Sequence, residues 1–180
     1  MFGLADLPFA KLKFIFGILA LCLPPLTAQA QAFSQSFRVS PQLGELEVSG
    51  HAGSIKVVAA EGNFISVRAR EKDDNVKISA IEVKPSHIKV EVIGSGKVKL
   101  EISVPAGTTL DLFCYKCEMK VKNINGPVVA KSTEGDIEIR GGRSARVEAY
   151  TTTGDVFFDG EIVPSGSYTL KSLSGNVGIV

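Results

Sequence analysis

Apolar and polar residues alternate with a period of two along most of the chain beyond residue 44. Residues 46–48 read LEV, residues 55–57 read IKV, residues 88–92 read IKVEV and residues 98–102 read VKLEI. Successive side chains of a β-strand point to opposite faces, so each segment predicts a strand with one buried side. Clusters of Gly, Asn, Asp and Pro between the segments predict turns. We therefore expect an all-β fold.

The C-terminal half carries an internal repeat. Repeat 1 is LDLFCYKCEMKV (residues 110–121), repeat 2 is VVAKSTEGDIEI (128–139), repeat 3 is VEAYTTTGDVFF (147–158) and repeat 4 is YTLKSLSGNVGI (168–179). Their starts are 18, 19 and 21 residues apart. This spacing, with one strand–turn–strand unit per period, is typical of a short β-solenoid whose stacked units share a core. A β-sandwich is the alternative, because strands about 8–12 residues apart suit it as well.

The aligned repeats predict which side chains share a column. Four apolar columns are expected to face the core: Leu110/Val128/Val147/Tyr168, Leu112/Ala130/Ala149/Leu170, Met119/Ile137/Val156/Val177 and Val121/Ile139/Phe158/Ile179. Residues 46–57 echo the same frame. Residues 58–104 match it less well and are expected to pair as irregular or longer strands.

The predicted turns of repeats 2 to 4 combine a glycine with an acidic or amide residue. Glycine supplies the positive φ of a tight turn, and a short polar side chain can bond nearby backbone amides. These turn residues are Gly135, Asp136, Gly154, Asp155, Gly175 and Asn176. Repeat 1 has Cys117 and Glu118 in the same columns.

The start of the chain has the pattern of an export signal. Lysines precede the apolar run of residues 14–23, two prolines follow it, and an Ala-x-Ala motif ends at Ala30. A membrane-spanning helix needs about 20 apolar residues, so this run favours a cleaved signal over an anchor. We predict cleavage after Ala30 or Ala32 and no transmembrane segment in the mature chain. The predicted organisation is a signal peptide (1–30), an N-terminal lead-in (31–43) and a β-strand-repeat domain (44–180).

Composition and charge exclude some functions. The chain has 20 Lys and Arg against 19 Asp and Glu, which is not the basic excess of a nucleic-acid binder. It has two histidines, and no serine lies in a G-x-S-x-G motif. We expect His51 in a Gly-rich turn and His87 beside Pro85 to be solvent-facing loop residues. No catalytic residue, cofactor or metal is predicted.

Cys114 and Cys117 are the cysteines left once the predicted signal is removed. A C-x-x-C motif can form a structural disulfide, a redox pair or half of a zinc site. Lys116 is the one adjacent cation that could lower a thiol pKa, and zinc would need two further ligands. Export into an oxidising compartment favours a structural disulfide, which would pin a turn that lacks its glycine. Free thiols are the alternative.

The acidic column of the repeats has two interpretations. Glu118, Asp136 and Asp155 could hold calcium between coils, since hard cations take several oxygen ligands. The paired glycines of calcium-binding repeats are absent, and Asn176 ends the column with a neutral side chain. Turn capping is therefore the favoured interpretation.

A basic cluster surrounds the glycine pair at residues 141–142. Arg140, Arg143 and Arg146 could contact an anion or a polysaccharide. The overall charge balance favours a solvated rim offset by neighbouring glutamates. Those glutamates are Glu134, Glu138 and Glu148.

Residues 104–110, VPAGTTL, lead into the Gly-Asp repeats. With this lead-in, residues 44–180 resemble the exported bacterial β-strand-repeat domains of unknown function that are provisionally named adhesins, the auto-transporter adhesin head domain among them. The resemblance implies a β-solenoid-like fold in the envelope or on the cell surface, and no known reaction. Repeat 1 departs from the pattern because the segment from Cys114 to Cys117 stands where the glycine turn belongs.

These observations predict an exported, non-catalytic protein of the bacterial periplasm or cell surface. Its role would be adhesion-like binding or scaffolding, with an unknown polysaccharide or protein of the envelope as partner. The first alternative is a structural β-solenoid that self-assembles through its exposed end coils, where a strand edge is unpaired. The second is a carbohydrate-active β-helix enzyme, by analogy of fold alone.

Overall fold

The computed structural model describes residues 33–40 and 44–180, so the predicted signal peptide and its cleavage sites lie outside the described residues. The described residues form strands and no helix, which confirms the all-β prediction. The strands are β1 (Ser34–Arg38), β2 (Glu45–Ala59), β3 (Phe64–Lys72), β4 (Lys77–Lys84), β5 (His87–Ile93), β6 (Lys97–Val104), β7 (Thr109–Lys122), β8 (Val128–Glu134), β9 (Ile137–Arg140), β10 (Arg146–Thr153), β11 (Val156–Asp159), β12 (Ser167–Ser174) and β13 (Val177–Ile179). None of the described residues forms a helix that could span a membrane.

All 13 strands belong to one open sheet with two arms that share β2 and β7. The first arm has the order β4-β5-β2-β7-β8-β10-β12, and the second has the order β1-β3-β6-β2-β7-β9-β11-β13. The buried side chains of both arms belong to one hydrophobic core. This open arrangement is compatible with the β-sandwich alternative as well as with stacked coils.

The four repeats pair in parallel and in the predicted register. In the first arm Leu110, Val128, Val147 and Tyr168 lie side by side, as do Leu112, Ala130, Ala149 and Leu170. In the second arm the columns that start at Met119 and Val121 are aligned in the same way. The register of the four predicted columns is therefore confirmed, and their members in repeats 1 to 3 are buried, whereas those in repeat 4 are half-buried or exposed.

Strand β2 confirms that residues 46–57 follow the same frame. Leu46 pairs with Leu110, and Ile55 pairs with Met119, both in parallel. These inward positions of β2 and β7 are at most 2% exposed. Burial of such aliphatic side chains contributes about 1.5–3 kcal/mol each, which makes the β2–β7 pair the centre of the core.

Residues 58–104 follow the frame only in part. β5 and β6 stack in parallel on β2, with Ile88 beside Leu46 and Leu100 beside Ile55. β3 and β4 depart from the frame, because β3 pairs with β6 and β1, and β4 pairs with β5, all antiparallel. The register shifts between Ala69 and Glu71 and again between Glu82 and Lys84. These irregularities, together with the antiparallel direction, break the regular spacing of the repeats.

Candidate functional site

Glycines form the corner at which the two arms meet. Gly135, Gly154 and Gly175 have φ of 131°, 133° and 151°, values that side chains rarely adopt. A Cβ at Gly135 would lie 2.2 Å from the backbone oxygen of Cys117, and one at Gly154 would lie 2.5 Å from the oxygen of Gly135. The backbones of successive repeats therefore approach too closely at this corner for any side chain.

A hydroxyl group ties each corner to the preceding repeat. The Thr151 hydroxyl donates to the backbone oxygen of Gly135 at 3.0 Å, and the Ser172 hydroxyl donates to that of Gly154 at 2.7 Å. Ser132 donates in the same way to the oxygen of Cys117 at 3.3 Å. These bonds satisfy carbonyl groups that the bend in the chain takes out of the strand ladder.

The acidic column bonds to backbone amides. The Asp136 carboxylate accepts from the Asp155 amide at 2.8 Å, and the Asp155 carboxylate accepts from the Asn176 amide at 2.7 Å. These are the side-chain-to-backbone bonds expected for turn capping. Within residues 33–40 and 44–180 no cluster of His, Cys, Asp and Glu is arranged to hold a metal ion.

Cys114 and Cys117 form a disulfide, with their Cα atoms 5.7 Å apart. Both residues are buried, at 0% and 2% exposure, so their sulfur atoms are shielded from substrates and metal ions. Cys114 pairs with Ser132, the residue that supplies the corner hydroxyl of repeat 2. On its other side lies Gly50, which leaves room because a Cβ there would already be 3.4 Å from the Cys114 Sγ.

The chain bends between the two cysteines as predicted, but without a break in the strand. β7 runs unbroken through both, and Cys117 does not have the positive φ of the glycines in its column. Three residues of straight strand would span about 10 Å, so the 5.7 Å between the Cα atoms shows that β7 bends sharply here. The disulfide therefore closes across a bend within one strand.

We expect the replacement Cys114→Ala/Cys117→Ala to lower the free energy of unfolding by about 2 kcal/mol, the chain-entropy value for so short a loop. Urea unfolding of the oxidised wild type and of the variant measures the difference. Addition of a reductant should bring the wild type close to the variant and leave the variant unchanged. Equal stability of the oxidised wild type and the variant would contradict a stabilising role.

The outside of the corner borders an open groove of about 740 Å³. Its charged side chains neutralise one another: the Lys99 ammonium lies 2.7 Å from the Glu71 carboxylate, and that of Lys116 lies 2.8 Å from Glu134. The hydrogen bond from Glu134 raises the pKa of Lys116 above its ordinary value. The positive and negative side chains of the groove thus balance, so the groove has no dominant sign of charge that would attract a charged ligand.

The arginine cluster is also compensated. Each of its three guanidinium groups forms an ion pair with a nearby carboxylate. The pairs are Arg140–Glu138, Arg143–Glu161 and Arg146–Glu148. These side chains are largely exposed, which supports the solvated-rim interpretation.

The two histidines lie on strands, which corrects their predicted placement in loops. His51 lies within β2, is exposed, and stacks on Tyr115 with ring centroids 5.6 Å apart. The side chain of His87 is only 19% exposed, and its Nδ1 lies 3.2 Å from the Glu45 carboxylate. Pro85 and Ser86 form a tight turn, so β5 begins at His87 and pairs with β2 there.

A row of aromatic and lysine side chains crosses the outer face of the first arm. We call it the aromatic–lysine row, and its members, in register on β7, β8, β10 and β12, are Phe113, Lys131, Tyr150 and Lys171. Neighbouring strands are about 4.8 Å apart, so the row is roughly 15 Å long. Its lysines alternate with its rings, and the Lys171 ammonium lies 5.7 Å from the Tyr150 ring centroid.

Two further rings widen this surface. Tyr115 follows Phe113 on the same face of β7, and His51 stacks on it from β2. Phe113 is 50% exposed and Tyr115 is 42% exposed. The row was not predicted from the sequence, because the predicted columns are the inward, apolar ones. The outward column of the same alignment contains it.

No family model matches the chain, and no curated protein is significantly similar to it in sequence. The structure is similar to that of a protein from Clostridium sporogenes, provisionally described as a cell adhesion protein, with a TM-score of 0.58. The two are 11% identical over 83% of this chain and 99% of that chain.

Two further structures have lower scores. They are provisionally described as adhesins, from Parabacteroides distasonis (TM-score 0.25, 12% identity) and Bacteroides fragilis (TM-score 0.26, 10% identity). Each match covers 84% of this chain and 98% of the other. The similarity to the Clostridium sporogenes protein shows a shared fold.

Proposed function

We propose that the protein is an exported, non-catalytic binding module of the bacterial envelope or cell surface, and that the aromatic–lysine row is its contact surface. The row carries the proposal. Phe113 and Tyr115 expose large apolar areas on a flat sheet, a feature typical of interaction sites. Lys131 and Lys171 add cations beside the rings, which suits a partner with both apolar and anionic groups.

Export and the binding role have separate support. The leader pattern of residues 1–30 supports export. The fold shared with a protein provisionally described as a cell adhesion protein supports an adhesion-like role. We further propose that repeats 1 to 4 form a short solenoid, supported by their parallel, in-register stacking.

Binding of the labelled, exported protein to isolated cell envelopes of its own bacterium tests the contact surface. We expect Phe113→Ser/Tyr115→Ser to weaken saturable binding at least about tenfold, because central aromatic side chains carry much of the energy of an interface. Phe64→Ser is the matched control, since Phe64 on β3 is 48% exposed and lies outside the row. It should bind like the wild type.

Equal binding by the double variant and the wild type would contradict the assignment of the row. Export is tested separately by protease digestion of the tagged protein on intact and lysed cells. Digestion on intact cells would indicate the surface, and digestion only after the outer envelope is opened would indicate the periplasm. Recovery of the protein with its leader uncleaved in the cytoplasm would contradict export.

Self-assembly as a structural protein is the second candidate function. Its specific support is repeat 4, whose inward side chains are half-buried or exposed where those of repeats 1 to 3 are buried. Unlike the first candidate, it requires contact between copies of this chain. The two functions use different surfaces and are compatible.

A further inference from the structure

The core is open at repeat 4. In the second arm the inward residues of repeats 1 to 3 are at most 3% exposed, but Val177 and Ile179 in the same columns are 46% and 62% exposed. Tyr168 and Leu170 in the first arm are half-buried. Because no other described residue covers them, repeat 4 presents an apolar surface continuous with the core.

Repeat 4 also has unpaired backbone. Within residues 33–40 and 44–180, β12 pairs only with β10, and β13 pairs only with β11. The Ser167 amide donates to Ala145, on the β10 side. Since the hydrogen bonds of a strand alternate in direction, the amides of Tyr168, Leu170 and Ser172 face away from β10 and are free to bond a further strand.

This edge lacks the features that normally prevent strand pairing. Residues 168–180 contain one charged side chain, Lys171, and no proline. Charges and prolines are the usual means by which exposed edges avoid other chains. Repeat 2, by comparison, has four charged residues among its twelve.

The opposite end of the sheet is protected. Its edge strand in the first arm, β4, carries Lys77, Glu82 and Lys84. The core is covered there, because Ala80 on β4 is 8% exposed and Ile65, beside β1, is fully buried. Among the described residues, the far end thus presents a charged edge strand over a covered core, which does not complement the open core of repeat 4.

We propose that repeat 4 pairs with repeat 4 of a second copy to form a closed, head-to-head dimer. The proposal rests on the second candidate function, self-association, and defines its partner and stoichiometry. A two-fold interface uses the same surface on both copies, so one contact covers both open cores and leaves only protected ends. β12 would pair antiparallel with its counterpart.

The size of the surface sets the expected affinity. A strand of eight residues is about 27 Å long and facing arms are about 10 Å apart, so each copy buries several hundred Å². That is below the lower limit for stable specific interfaces and in the range of weak, transient contacts. We therefore expect a reversible dimer with a dissociation constant in the micromolar range, about 1–100 µM.

Sedimentation velocity of the exported protein between about 1 µM and 500 µM tests the dimer, a range chosen to span the expected dissociation constant. The wild type should shift from monomer to dimer and grow no further. Ile179→Asp should weaken dimerisation at least about tenfold, since the carboxylate is solvated in the monomer and buried in the dimer. Ile93→Asp is the matched control, because Ile93 is 55% exposed on β5, and it should dimerise like the wild type.

The outcomes distinguish the dimer from self-assembly in general and from binding by the aromatic–lysine row. A wild type that stays monomeric throughout would overturn both the dimer and self-assembly, and would leave the aromatic–lysine row untouched. Growth beyond the dimer would support self-assembly but overturn the closed head-to-head arrangement. Equal loss of association in Ile93→Asp and Ile179→Asp would overturn the assignment to repeat 4. Circular dichroism of both variants confirms that they are folded.

Discussion

Replacement of Ile139 with alanine is expected to lower the free energy of unfolding by about 2–5 kcal/mol, the range for large-to-small changes in a core. Ile139 is 3% exposed and lies between Val121 and Phe158 in a parallel column. Backbone ladders hold both neighbours in place, so the surrounding structure cannot readily collapse into the cavity. The variant loses the free energy gained by burying the removed carbon atoms. Urea or thermal unfolding measures the loss.

Ile93→Ala is the control for this change. It removes the same atoms from a side chain that is 55% exposed, and we expect a loss below about 1 kcal/mol. If the two substitutions lowered the free energy of unfolding equally, the core columns described for repeats 1 to 3 would be incorrect.

Gly135→Ala is expected to lower the free energy of unfolding by a similar amount, at least about 3 kcal/mol. The cause here is strain in the backbone and not a cavity in the core. The residue has φ of 131°, and its new Cβ would lie 2.2 Å from the Cys117 oxygen. β8, β9 and the neighbouring repeat would have to separate to relieve this contact.

Gly62→Ala isolates the contribution of φ. Gly62 has φ of 99°, but nothing lies within 4 Å of a Cβ built there. We expect it to cost about 1 kcal/mol, the conformational penalty without a steric contact. A Gly135→Ala variant as stable as Gly62→Ala would show that the repeats at the corner do not approach as closely as described.

The repeat half of the fold could be predicted from sequence because each level of the pattern gives the same answer. Alternation assigns the faces, the spacing of the repeats assigns the register, and a glycine such as Gly154 marks the corner. In a parallel stack one alignment fixes every column at once. The pairing of Leu110 with Val128 therefore followed from the aligned sequences alone.

Other features could not be predicted, for physical reasons. The antiparallel pairing of β3 and β4 depends on turns and register shifts that leave no period in the sequence. The bend of β7 at Cys114 and Cys117 depends on a covalent bond and on the space above Gly50, which belongs to a different strand. The half-buried position of His87 follows from its pairing with Glu45, 42 positions earlier in the chain.

The aromatic–lysine row could have been predicted, because it uses the same register as the core. Phe113 and Lys131 are one position beyond Leu112 and Ala130 in each repeat. A sequence shows which residues share the row. It does not show that the row is uncovered, since this depends on no other part of the described chain packing over it.

The parallel pairing of β2 with β7 has a consequence for the order of folding. Leu46 and Leu110 are 64 positions apart, so this pair closes a long loop, which is an intrinsically slow step. Each later repeat then adds next to a strand already in place, at the cost of a loop of about 20 residues. The sheet therefore grows from β7 towards β12 and β13, one repeat at a time. Amide hydrogens of β12 and β13 should therefore exchange first and those of β7 last.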